Sequence, residues 1–225
     1  MKSDLISGLF FLVLLSYSPA FKQLEDVYEY LWESNMHIAN KTLHIDFLKQ
    51  MQSGELQAER YVAFTLQDIN YLLKITSMLK ELQEKVQTPE DVSAFMKGRY
   101  ISYKKFAGFL LSRNFLKGAS QIKPTPTMKK YLADYREVMQ TERDPLYFAV
   151  ALLPCSRLWL WLANKLDIPS SNAYYTWKKE NMEGHPEKHY KAMLNKYLNT
   201  SEKVQKASNI FKMQMQNEHD FFGSS

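Results

Sequence analysis

The chain has 225 residues, 45% of them hydrophobic, with 29 basic and 24 acidic side chains for a net charge of +5. That balance excludes a disordered chain, a collagen and a disulfide scaffold, and a domain of this length buries about 70% of its unfolded surface without a metal or disulfide to hold it. Only 7 residues are Gly, which disfavours a hairpin-rich β fold and a Gly-rich phosphate cradle, while the plentiful Leu, Lys, Met, Glu and Gln favour helix. One all-α domain is the expectation. The basic residues form nothing longer than pairs, such as Lys104-Lys105, Lys129-Lys130 and Lys178-Lys179. A nucleic-acid binder would cluster them, so no nucleic-acid partner is expected.

Residues 1–20 read as a secretory signal peptide. Lys2 precedes an apolar stretch from Leu5 to Leu15, and Ser18 and Ala20 place small residues for a cut after Ala20. The stretch is too short to span a bilayer, which takes about 20 apolar residues. The sequons Asn40-Lys41-Thr42 and Asn199-Thr200-Ser201 mark Asn40 and Asn199 as glycosylation sites. The expectation is a secreted, extracellular protein with no membrane partner, its mature domain covering 21–225.

Along that domain, residues 23 to 52 carry Leu24, Val27, Tyr28 and Leu31 at helical spacing, with a break expected near Asn40 and Gly54 as terminator. A second helix is predicted from Glu59 to Val86, its apolar side including Phe64, Tyr71, Ile75, Met78, Leu79 and Leu82 with Asp68 among them. Thr88-Pro89-Glu90-Asp91 supplies a cap and first-turn acids for a third, to about Leu111. Lys123-Pro124-Thr125-Pro126-Thr127 interrupts the chain before a fourth, which bears Met128, Tyr131 and Tyr135. The fifth, Leu146 to Leu166, is an apolar stretch that belongs at the bundle centre. Shorter helices follow at about 172–181 and 186–198, and a last one at Ser201–Phe222, eight in all.

Cys155 is the only cysteine, so no intrachain disulfide exists. Wholly apolar residues precede it, which argues for a buried thiol. Pro154 costs its helix about 3 kcal/mol in a lost backbone bond and a clash with the Val150 carbonyl, a cost suggesting a purposeful kink beside the thiol. Asp68 and Tyr71 share a helix face, and an unpaired carboxylate within an apolar stripe is costly. Either a buried basic partner or a ligand must answer for it.

Five segments resemble the TenA/thiaminase II family in order: Thr65–Tyr71, Lys123–Thr127, Ala151-Leu152-Leu153-Pro154-Cys155, Tyr174–Trp177 and Asn217–Gly223. The Ala-Leu-Leu-Pro-Cys segment is the most specific of them, and the likeness extends over residues 21 to 225. The resemblance implies a heme-oxygenase-like helical bundle without heme, no cofactor, a homo-oligomer, and cleavage of thiamin or a related aminomethylpyrimidine. It further implies Cys155 as nucleophile and Glu218 as its acid–base partner. Asp68 would hold the aminopyrimidine, with Tyr71 and Tyr131 packing against it.

Two positions depart from the family pattern. Trp159 and Asn181 stand where it usually has Tyr, in places that imply substrate contact. An indole offers one N–H donor and Asn no phenol, so delivery of water is more affected than capture of the pyrimidine. The acceptor is therefore water or an organic amine or thiol. The alternative is a non-catalytic protein on the same scaffold that binds thiamin or another small aromatic ligand. A redox enzyme of the related quinone-biosynthesis type would need basic pocket residues not found here. His185 and His189 have the spacing of a helical zinc pair but lack the surrounding motif and a third ligand, so no metal is expected. N-terminal sequencing of secreted protein should begin at Phe21; soluble intracellular protein that retains Leu5 to Leu15 would contradict the secretory reading.

Overall fold

The computed structural model describes residues 26–118 and 122–225, so the expected signal peptide lies outside the described residues. Among the described residues there are ten helices and no strand: α1 (Val27–Glu33), α2 (Met36–Leu43), α3 (Asp46–Ser53), α4 (Ala58–Lys85), α5 (Glu90–Arg113), α6 (Pro126–Thr141), α7 (Leu146–Lys165), α8 (Tyr175–Asn181), α9 (Pro186–Tyr197) and α10 (Ser201–Gly223). The all-α expectation holds. The count exceeds eight because residues 23 to 52 divide into three helices.

Those breaks do not fall near Asn40, which lies inside α2 and is exposed. They fall at Ser34-Asn35 and at His44-Ile45. The Asn35 side chain turns back to donate to the Leu31 carbonyl at 2.9 Å, and His44 Nδ1 lies 2.7 Å from the Asn40 carbonyl. Side chains that compete for backbone groups end helices in this way. Gly54 terminates α3 at φ +80, the left-handed conformation that Gly adopts without a Cβ clash. Thr88 does not cap α5; Pro89 holds the cap position with no side-chain bond, leaving Glu90 and Asp91 as the favourable charges of the first turn.

The core is organised around α7. It is the one described helix long and apolar enough to cross a bilayer, and 72% of that stretch is buried inside the bundle. Helices α2, α6, α8, α9 and α10 pack against it, which is why so much of its surface is apolar. The helix continues through Pro154. One turn earlier, the Tyr135 hydroxyl donates to the Ala151 carbonyl at 3.0 Å.

Helices α4 and α5 form a long packed pair beside this centre, and α6 bridges α4, α7 and α10. The Pro-rich entry to α6 is clamped to α4 by Gln67, whose amide donates to the Lys123 carbonyl at 3.1 Å and accepts from Thr125 N at 3.0 Å. The Thr125 hydroxyl accepts from Met128 N at 3.2 Å, capping α6 with Pro126 pre-set in its first turn. Thr125→Ala should lower unfolding free energy by about 1 kcal/mol, read as a shift in the urea midpoint at constant slope.

Candidate active site

Helices α4, α5, α7 and α8 enclose a cavity of about 280 Å³. That lies at the small end of the roughly 300–1,000 Å³ typical of ligand pockets, a size for a one- or two-ring molecule. Asp68 of α4, Cys155 and Trp159 of α7, and Glu180 and Asn181 of α8 line it together with Tyr103 and Phe106 of α5. Residues separated by more than a hundred positions thus meet at one partly open cavity.

Glu218 sits behind Cys155 and Trp159, 1% exposed, on α10. Its Oε1 accepts from the Tyr131 hydroxyl. Its Oε2 accepts from Trp159 Nε1 at 2.9 Å. The departure to Trp at 159 therefore keeps a donor on the carboxyl group: the indole N–H holds it from α7 while Tyr131 holds it from α6. Tyr131 stacks on Tyr71 at a centroid distance of 5.2 Å, and the Tyr71 and Tyr135 hydroxyls are 2.9 Å apart. Both Tyr71 and Tyr131 are buried behind the cavity wall. Tyr131 thus holds Glu218 directly, and Tyr71 packs on Tyr131.

The electrostatics are unusual for three acids in one core. Burial pushes the Glu218 carboxyl up to about 7, although hydrogen bonds from Tyr131, Trp159 and Cys155 oppose the rise. Among the described residues Asp68 has no hydrogen-bonding or basic partner, and burial, reinforced by the negative charges of Glu218 and Glu180, pushes it up to about 8. Of the two readings open for Asp68, the structural ion pair is not what the fold builds. Burial and the adjacent Glu218 also raise the Cys155 thiol well above its ordinary value. At neutral pH the site therefore holds a thiol, a protonated Asp68, and Glu218 near its midpoint.

Asn181 lines the cavity, but its side-chain amide donates to the Trp177 carbonyl at 2.8 Å. The structure adds groups that the sequence reading missed. Glu180 lines the cavity and pairs with Arg113; Ser102, Tyr103 and Phe106 form the α5 wall. Nothing local marks them, because α5 is nearly uniform around its axis and Arg113 lies 67 residues from Glu180. Elsewhere, His185 Nδ1 pairs with Glu187 at 3.0 Å on the surface, and among the described residues no group of three His, Cys, Asp or Glu is placed to hold a metal.

No protein-family model and no curated protein matches the chain. Solved structures do. A TenA homologue from P. horikoshii OT3 is 21% identical, with 88% of this chain and 96% of that one covered at a TM-score of 0.70. A TenA homologue from Pyrococcus furiosus is 15% identical, covering 87% of this chain and 98% of that one at a TM-score of 0.72. A TenA family transcription regulator from Silicibacter sp. TM1040 is 15% identical, covering 88% and 95% at a TM-score of 0.73. At these identities the likeness establishes the fold: the chain adopts the all-α bundle of the TenA homologues over nearly their whole length.

Asp68 makes a pH-dependent stability prediction. A carboxyl raised from 3.8 when unfolded to about 8 when folded binds more protons in the native state between those values, so stability falls as pH rises through that window. Asp68→Asn should therefore raise Tm, with a gain that is largest at pH 8 and vanishes towards pH 4. Thermal melts across that range would show it, and a gain independent of pH would contradict the assignment.

Proposed function

We propose that the protein is a thiaminase-type enzyme of the TenA family that cleaves thiamin, or a related aminomethylpyrimidine, at the exocyclic methylene. The observation that carries this is that Asp68 and Cys155 line one cavity with the buried Glu218 carboxyl behind Cys155, fixed there by Tyr131 and Trp159. A purely structural bundle has no reason to hold two raised carboxyls and its only thiol around one cavity.

In this reading the protonated Asp68 faces the pyrimidine and donates to a ring nitrogen. Ionised Glu218 removes the Cys155 proton as the sulfur bonds to the ring, general-base help that a thiol this hard to ionise requires. The electron-rich adduct expels the substituent on the methylene as the ring nitrogen keeps its proton. Water, an amine or a thiol then bonds to the methylene and releases its proton to solvent; the carbon–sulfur bond breaks, Cys155 takes its proton back from Glu218, and the ring nitrogen returns its proton to Asp68. The Asn181 amide nitrogen, engaged with the Trp177 carbonyl, is withdrawn from the incoming acceptor, which supports an organic amine or thiol over water.

The same proposal makes the protein a secreted one, cleaved after Ala20, with Asn40 and Asn199, both exposed, as glycan carriers. It also includes a homo-oligomer, for which exposed Ile101 and Phe109 on α5 offer apolar surface. A second reading, a non-catalytic protein that binds thiamin or a similar aromatic ligand, draws support from the raised Cys155 thiol and from Trp159 occupying one oxygen of Glu218.

Incubation of purified protein with thiamin, with and without pyridine or aniline, followed by mass analysis of the products, separates the two. The enzyme should release a pyrimidine product faster when an acceptor is supplied. Cys155→Ser should lower turnover at least about a hundredfold, and Glu218→Gln by about 10²–10⁴. The rate should peak between about 7, where Glu218 ionises, and about 8, where Asp68 loses its proton. A rate that Cys155→Ser leaves unchanged would remove the nucleophile, and binding without turnover would favour the second reading.

A further inference from the structure

Glu180 has no part in the steps above, yet its position is specific. It is the penultimate residue of α8, lines the cavity with Asp68, and is close enough to raise Asp68 through its charge. Its partner Arg113 is not among the cavity-lining residues. The Arg113 guanidinium is held away, 5.9 Å from the Phe109 ring centroid, as well as on Glu180. Arg113 does not fully compensate Glu180: burial still lifts this carboxyl above its ordinary value.

The lining has a consistent character. It presents Asp68 and Glu180, the aromatic side chains Tyr103, Phe106 and Trp159, and no Lys, Arg or His. With Asp68 protonated, Glu180 is the carboxylate left among these aromatic faces, and a carboxylate so placed without a competing basic group stabilises an organic cation. With Cys155 and Asp68 taking the pyrimidine, the α8 wall is left for whatever the methylene carries. Asn181 on that wall has spent its amide on the Trp177 carbonyl, so Glu180 is the charged group remaining there.

We infer that Glu180 is a specificity-determining residue, selecting pyrimidines whose methylene bears an organic cation, an azolium or a protonated amine, over neutral counterparts. The inference rests on the proposed function of the same site. Arg113 is then a positioning residue that fixes the Glu180 side chain without entering the cavity.

Calorimetric binding tests this without requiring turnover. The probes are thiamin, a permanent cation, and 4-amino-5-hydroxymethyl-2-methylpyrimidine, which is neutral at pH 8. Glu180→Gln should weaken thiamin about tenfold or more, since it removes one partner of a charge pair, and should leave the neutral pyrimidine within about twofold. Glu180→Asp, which withdraws the charge by one methylene, should weaken thiamin less and again spare the neutral ligand; it provides the same comparison should the Gln variant fail to fold. Equal effects on both ligands, or none on thiamin, would overturn the inference and leave the proposed function standing. Wild-type protein that binds neither would overturn the proposed function, and this inference with it.

Discussion

The geometry of the site depends on the Glu218 carboxyl held in the dry centre of the bundle between Tyr131 and Trp159. A buried carboxylate without donors would cost several kcal/mol. Its two oxygens are met from two helices, so α6, α7 and α10 must pack in one register for the group to be tolerated. The next residue pair on the same two helices repeats the connection: Lys130 Nζ donates to Asn217 Oδ1 at 2.9 Å. Neighbouring residues thus join α6 to α10 by one buried contact and one partly exposed contact.

The thiol and the acids pose opposite problems that share a solution. An apolar surround keeps Cys155 protonated, and the same surround raises Glu218 into the range where it can accept that proton. Asp68, more strongly raised and facing the cavity, is a donor at a pH where a solvated carboxyl would only accept. Burial alone would produce an inert core. What separates the roles is the pattern of donors: Tyr131, Trp159 and the thiol itself for Glu218 and, among the described residues, none for Asp68.

Much of the fold was legible in the sequence because its signals are local. The apolar run of α7, the αL position at Gly54 and the Thr125-Pro126 start of α6 each follow from a few adjacent residues. The subdivision of residues 23 to 52 was not, because the competing bonds of Asn35 and His44 are made by side chains that look unremarkable in a helical pattern. In the site, Cys155, Asp68 and Glu218 were found through motif resemblance. Their meeting could be seen only in three dimensions. Glu180 and the α5 wall carry no periodic or compositional mark, and the role of Trp159 as a donor to Glu218 depended on which way the indole turned.

The two hydrogen bonds of the Gln67 amide to the Lys123–Thr125 segment tie neighbours of two functional groups. Gln67 precedes Asp68 on α4, and Thr125 begins the helix that carries Tyr131. A slip of either helix by a single turn would break both bonds at once. The acid that faces the cavity and the phenol that orients Glu218 are consequently set by one docking event, so a chain that has paired α4 with α6 correctly has already spaced its active groups.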